Sequence, residues 1–274
     1  LVRTSRSISP SSGTASLLIE EVELGEQGSF IVASRTVAAT DLNRAVADSV
    51  PGIDRRWTAE PLTEDANVAI AARLQQGESD WHFYTYLPMD EAHTPFAAHA
   101  NAPFFTKIDR NKARFDLPYN GFLLDEVASL CAETAFWIRD NAPNYAPVCL
   151  DLICWDRSHL GRLVNAFEKL GTNLADSELV PCVSVGDDLA FSSVEDARCW
   201  GPFATEMKVV TPQLLTQVAG AQMIDPLWEQ RVERFRELRA HLSPTYDDAS
   251  PGLSRLDYTY DAAGRLDGVL SGAS

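Results

Sequence analysis

Positive charge is scarce in this sequence. Lys and Arg number 23 against 39 Asp and Glu, for a formal net charge of -16 at pH 7. Such a balance excludes non-specific nucleic-acid binding, which needs cationic side chains to replace the counterions of phosphates. It also opposes docking on anionic membrane surfaces. A local basic site survives it, because a field is set by nearby charges rather than by the sum. Long apolar runs are missing too: no stretch approaches the roughly 20 residues of a membrane-spanning helix. No signal-peptide pattern is present, and the first residue is Leu1 rather than Met, so a piece of a longer chain is expected. Cysteine is sparse: Cys131, Cys149, Cys154, Cys182 and Cys199 include no CxxC or CxxH spacing. An odd count without a framework points to buried thiols in a reducing, cytoplasmic setting.

The familiar catalytic signatures are absent as well. There is no G-x-x-x-x-G-K-[ST], no G-x-G-x-x-G after a strand, no G-x-S-x-G and no H-E-x-x-H. The five histidines (His82, His93, His99, His159, His241) are dispersed. His82, in an alternating run, reads as a surface or packed residue, and no metal site is expected. Asp187-Asp188 and Asp247-Asp248 lie among turn formers and read as solvated pairs. The chain is therefore not expected to be an enzyme on its own.

What remains is a foldable chain of 274 residues, long enough for one large or two modest domains. Residues 1–14 are polar and predict a flexible start. "SLLIEEVEL" and "SFIVASRTV" flank "GEQG" and predict a hairpin. "DLNRAVADSV" predicts a short helix capped by Asp41. "NVAIAARL" and "WHFYTYLP" predict a pair of strands joined through Gln75–Ser79, the second ended by Pro88. Residues 118–141 predict a buried helix, apolar around most of its circumference. "PVCLDLICW" predicts a buried strand, with Cys149 and Cys154 on opposite faces. Ser158 is expected to cap "HLGRLVNAFEKL", with Gly171 just past its end. "LVPCVSV" and "LAFSS" predict a second hairpin, and Ser193 the start of a short helix. Asp225 and Pro226 predict a helix whose Trp228, Val232, Phe235, Leu238 and Leu242 share one side. Residues 243–274 read as an irregular tail with one late strand near Leu256–Tyr260. The fold class that follows is α/β (α+β), a mixed sheet with packed helices. The expected organisation is a first α/β domain over 15–145, a second α/β subdomain over 146–242, and the tail.

The scarce positive charge gathers in "HANAPFFTKIDRNKARFDLPYNGF", which holds Lys107, Arg110, Lys112 and Arg114. A guanidinium on a turn suits phosphate oxygens, because its planar fork gives two parallel charge-assisted bonds. Residue chemistry alone favours a plainer reading: Lys107, Lys112 and Arg114 form a solvated face, and Arg110 pairs with Asp109 or Asp116.

A wider stretch changes that weighing. "FYTYLPMDEAHTPFAAHANAPFFTKIDRNKARFDLPYNGFLLDEVA" resembles the segment that follows the nucleotide-binding domain in sacsin-like ATPases of the gyrase, heat-shock-chaperone, histidine-kinase and MutL (GHKL) superfamily. The matching residues are Leu87-Pro88, then His99, Asn101, Ala102, Pro103, Phe104, Phe105 and Arg110, then Pro118, Asn120, Leu123 and Leu124. A weaker likeness continues through "ELVPCVSVGDDLAFSSVEDARCW", where Phe191 stands in place of the usual Trp. The E-x-x-x-N, D-x-G-x-G and glycine-lid motifs of the Bergerat ATPase domain are absent; "EDAN" at Glu64–Asn67 has the wrong spacing.

The resemblance thus implies a transducer-like middle region, with no cofactor of its own and with ATP and Mg bound elsewhere in the parent protein. It implies the Bergerat domain of the same chain as partner and, since such proteins often dimerise, a second copy. From charge and composition, no membrane and no direct nucleic-acid partner are expected. Arg110 is the implied phosphate-contacting residue in catalysis and nucleotide binding, with Lys107 second. Pro118 and Asn120 are expected to shape the helix start, and His99 and Asn101 to brace the loop. The reading from a different class is a protein-interaction scaffold, which presents the Trp228–Leu242 helix as a docking face and leaves the basic loop incidental.

Overall fold

The computed structural model describes residues 4–7, 17–49, 60–75, 80–107, 111–183, 189–199, 222–225, 228–242, 256–260 and 266–271. The strands are β1 (Thr4–Ser7), β2 (Leu18–Glu23), β3 (Ser29–Val37), β4 (Ala66–Arg73), β5 (His82–Thr85), β6 (Leu87–His93), β7 (His99–Asn101), β8 (Val180–Cys182), β9 (Ala190–Ser192), β10 (Leu256–Tyr260) and β11 (Leu266–Ser271). The helices are α1 (Ala39–Ser49), α2 (Pro118–Asn141), α3 (Pro147–Ile153), α4 (Leu160–Lys169) and α5 (Glu229–Leu242). A seven-stranded sheet runs in the order β1-β2-β3-β4-β7-β5-β6, and β8-β9 and β10-β11 form separate hairpins. Every neighbouring pair in the large sheet is antiparallel except β5 and β7. The fold is α+β.

Alternation along the strands divides the sheet into two faces. Ile19, Ile31, Ala33, Val68, Ile70, Ala72, Phe83 and Ala100 are all at most 2% exposed. They share one side by register, and α2 packs over β3 and β4 on that side. Helix α2 also touches α1, α3 and α4, which is why Leu123, Leu124, Val127, Leu130, Cys131 and Ile138 are all buried. Each such aliphatic side chain removed from water contributes about 1.5–3 kcal/mol before entropy is counted. Arg35 is a polar residue on this face, and it is met by Glu133 (2.5 Å) and Glu126 (3.5 Å) of α2. The same buried cluster continues past residue 145 into α3, α4, β8 and α5, ending at Phe235 and Leu238.

Helix α5 is tied down by charge as well as by apolar contact. Asp151 of α3 accepts from Arg231 Nη2 (2.6 Å) and Arg234 Nη2 (2.9 Å), with Asp151 and Arg231 side chains 5% and 6% exposed. Burial pushes the Asp151 carboxyl above its ordinary value, and the two guanidiniums pull it back.

Several sequence expectations need correction. "PVCLDLICW" is not a strand but helix α3: Pro147 occupies its first turn, where a preset φ favours helix. A short run buried on all sides has no periodicity to separate the two. Cys149 and Cys154 consequently lie on a helix and its C-cap, both buried. The polar start is not wholly flexible, because Thr4–Ser7 pairs with Glu20–Glu23.

Pro88 does not end a strand; it lies within β6, an edge strand, where its missing N–H costs little. Strands β4 and β5 are not neighbours, since β7 inserts between them. Asp41 lies inside the first turn of α1, whose Ala39 N–H donates to Asp65 Oδ1 (2.9 Å). Ser158 is not the cap of α4: Asp156 Oδ1 takes the His159 N–H (3.0 Å), and Ser158 Oγ donates to that same oxygen.

Ser193 opens only a turn, closed by Asp196 N–H on Ser193 Oγ (3.1 Å). Helix α5 begins at Glu229, later than Asp225. The tail holds two paired strands rather than one. The hairpin β2-β3, helix α2 with Pro118 at its start, the hairpin β8-β9 and Gly171 at φ 77° stand as expected. Gln75 is described, but 76–79 lie outside the described residues.

Candidate functional site

The described residues on either side of Ile108–Arg110 are tied together at a fixed base. Thr106 and Ala113 form a β-bridge. Lys107 N–H donates to Lys112 O (2.9 Å), and Arg114 N–H donates to Phe105 O (2.9 Å). Asn120, fully buried in the first turn of α2, clamps this base. Its Oδ1 accepts the Phe105 N–H (2.8 Å), and its Nδ2 donates to Phe105 O (2.7 Å) and Arg114 O (3.0 Å). A buried amide with all these bonds made holds the loop in one geometry, whereas an unpaired one would cost stability. Beneath it, Phe104 packs against Phe83 and Phe115, and Phe105 against Tyr119. Burial pushes the Tyr119 hydroxyl up to about 12. The Tyr119 N–H, one of the orphan donors of a helix start, donates to Ser49 Oγ at the end of α1 (2.8 Å).

The cations on this loop divide by partner. Lys112 Nζ pairs with Glu91 of β6 (2.7 Å). Arg114 pairs with Asp116 (2.7 Å), and its hydrogen bond is the chief reason that the Asp116 carboxyl sits below its usual range. Lys107 lies at the loop base; among the described residues it forms no ion pair within 4.0 Å, though its charge helps to hold Asp116 low. Arg110 lies outside the described residues, with Ile108 and Asp109. Lys112 and Arg114 thus lie on a solvent-facing surface, each paired there with a carboxylate.

Compared with known proteins, the chain matches no family model, no curated protein and no solved structure.

Of the residues singled out by sequence, Pro118, Asn120, Phe104, Phe105 and Lys107 converge on this loop base. Asn101 is exposed at the end of β7. His99 braces β5 rather than the loop: its Nδ1 accepts the His82 N–H (3.2 Å), and its ring packs on Trp81 and Tyr84. Burial lowers the His99 imidazole below its ordinary value, with His82 adding to the shift.

Sequence reasoning missed a second grouping on the neighbouring hairpin. His82 of β5 and His93 of β6 are direct cross-strand partners, with ring centroids 4.8 Å apart. Asp80 reaches both, at 3.2 Å from His82 Nε2 and 2.8 Å from His93 Nδ1. The signal was available in principle. Asp80 and His82 are two apart, a spacing that puts both on one side of extended chain, and a bend at Tyr86 brings His93 opposite. Ending the strand at Pro88 hid that register. The two groupings adjoin, because Glu91 N–H donates to Asn111 O (3.1 Å) between them. Among the described residues, no helix is long and apolar enough to cross a membrane.

Proposed function

We propose that this chain is the middle region of a sacsin-like, GHKL-type ATP-binding protein, and that its β7–α2 loop offers a basic side chain to a nucleotide phosphate held by another domain. The supporting observation is the Asn120 clamp. Two of the motif residues that carry the resemblance, Phe105 and Asn120, meet at the base of one loop, and the buried amide fixes that base at three hydrogen bonds. A cation carried on that base would act on charge that develops at the phosphoryl group. Arg110 is the first candidate and Lys107 the second; Lys112 and Arg114 already hold carboxylates. ATP and Mg belong to the preceding domain in this reading, and the parent protein works in the cytoplasm, as a monomer or a dimer.

The scaffold alternative requires an exposed apolar stripe on α5. Val232, Phe235 and Leu238, the centre of that stripe, are at most 6% exposed.

The test is Arg110→Ala in the full-length protein, read as ATP turnover, with Lys107→Ala beside it. A phosphate-contacting Arg predicts a loss on the order of 10³-fold or more. Unchanged turnover in both variants removes the loop from catalysis. Calorimetric titration of the isolated chain with ATP is expected to give no heat of binding; micromolar binding would show that the nucleotide site lies in this chain.

A further inference from the structure

The Asp80–His82–His93 grouping carries an inference independent of any nucleotide. His82 Nδ1 lies 3.2 Å from the Met89 carbonyl oxygen. A carbonyl can only accept, so this nitrogen carries the ring hydrogen, and in the neutral imidazole Nε2 is left with its lone pair. That lone pair faces Asp80 Oδ2 at 3.2 Å. Two acceptors pointed at each other are repulsive unless a proton or a metal ion lies between them. His93 Nδ1 closes on the other Asp80 oxygen at 2.8 Å, and one donor atom from each of the three side chains lies within 4.8 Å of the other two.

We propose that Asp80, His82 and His93 form a binding site for a divalent transition metal of the zinc class. Two imidazoles and one carboxylate are a borderline donor set, suited to Zn²⁺, Co²⁺ or Ni²⁺ rather than to Mg²⁺ or Ca²⁺, which take oxygen ligands. The Met89 carbonyl supplies the outer-sphere acceptor that fixes the tautomer and orientation of a metal-bound histidine.

Register does the rest of the positioning. His82 and His93 are paired across β5 and β6, and the adjoining Thr94 N–H donates to Trp81 O (2.9 Å). The His82 backbone is also held by His99, so the least exposed ligand, at 15%, is the most constrained. Asp80 and His93 are 71% and 57% exposed and free to swing by the small amount that closes a shell of roughly 2.0–2.2 Å bonds. Three protein ligands leave a further position for water or for a group from another molecule. A metal there would staple β5 to β6, the edge hairpin that also carries Glu91 and the bond to Asn111 at the basic loop.

The experiment uses the tag-free chain, stripped with chelator and titrated with Co²⁺ and with Zn²⁺, with Mg²⁺ as control. Calorimetry follows stoichiometry, and the visible Co²⁺ spectrum follows coordination. The expected result is one micromolar or tighter site for Co²⁺ and Zn²⁺, none for Mg²⁺, and a melting temperature that rises with Zn²⁺. His93→Ala and Asp80→Asn, both at exposed positions, should retain the far-ultraviolet circular dichroism of the parent. Each should weaken binding by more than about 100-fold, beyond the loss usual for an outer-sphere partner. Absence of Co²⁺ and Zn²⁺ binding, or binding that neither variant changes, overturns the proposal. The first of these outcomes means that Asp80 bonds the two imidazoles without a metal. Neither outcome bears on Arg110, since no nucleotide enters the measurement.

Discussion

Asp151 and Asp80 each gather two nitrogen-bearing side chains, under opposite conditions of burial. The Asp151 side chain is 5% exposed and bridges α3 to α5 through Arg231 and Arg234. The Asp80 side chain is 71% exposed and reaches His82 and His93 on an edge hairpin. Burial makes the first arrangement costly to disturb, because a lone ion in a low-dielectric interior cannot recover its hydration. Solvent makes the second inexpensive to rearrange, because water replaces whichever partner leaves. The first is a fastening between elements. The second is available for a ligand that water cannot imitate.

The largest expected effect therefore falls on the buried member. Asp151→Ala should destabilise the fold by about 3–5 kcal/mol, since it strands Arg231 without its carboxylate. Equilibrium urea unfolding would measure it as a fall in midpoint at constant m. The pair is nonetheless not expected to be worth that amount. Asp151→Leu combined with Arg231→Met should recover most of the loss, because apolar groups of similar size often replace a buried ion pair at little cost. A double variant as unstable as Asp151→Ala would mean that the charges themselves, and not their burial, hold α5.

Asn120 lies between the two extremes, as a buried but uncharged clamp. Asn120→Ala removes three hydrogen bonds and leaves the Phe105 N–H without its side-chain acceptor. The expected cost is about 2–3 kcal/mol, smaller than for Asp151 because a neutral orphan is less costly than a charged one. Amide hydrogen exchange should show the loss concentrated at residues 105–114. A loss spread evenly over α2 would mean that Asn120 supports the helix rather than the loop.

These three sites were unequally legible in the sequence. The sheet and α2 could be read because alternation and all-round apolarity are periodic signals that survive tertiary context. Helix α3 could not, because "PVCLDLIC" is buried on every side and its helical state is decided by Pro147 and by neighbours far along the chain. Asn120 was legible as a structural residue from its place just after Pro118, but its partners Phe105 and Arg114 are visible only once the loop closes. The salt bridge of Asp151 spans 80 residues, and no spacing rule reaches that far. The histidine pair failed for a narrower reason. A proline in a strand pattern reads as the end of the strand, whereas β6 is an edge strand on which a proline is tolerated.

Arg35 refines the comparison at smaller scale. It lies on the helix-facing side of the sheet, 14% exposed, between Glu126 and Glu133 of α2. Arg35→Met keeps much of the apolar stem and removes the charge, so about 1 kcal/mol should be lost, the upper end for ion pairs whose carboxylates still reach solvent. Raised salt should weaken the parent little, because partly buried pairs are poorly screened. A salt-sensitive Arg35 contribution would class it with Asp80.

The smallest expected effect is the sharpest test of the contrast. In chelator-stripped protein, Asp80→Asn should shift stability by no more than about 0.5 kcal/mol, the usual range for an exposed substitution. The amide keeps an oxygen acceptor and gains N–H donors, so it can bond the His82 and His93 rings and the hairpin loses little. With saturating Zn²⁺ the parent and the variant should separate, because a ligand that binds only the folded state raises stability in proportion to the logarithm of its excess over Kd. The same substitution is then silent without metal and visible with it, whereas Asp151→Ala costs the same in both. An Asp80→Asn cost of several kcal/mol without metal would place Asp80 with Asp151, as a fastening of the fold rather than a recruitable ligand.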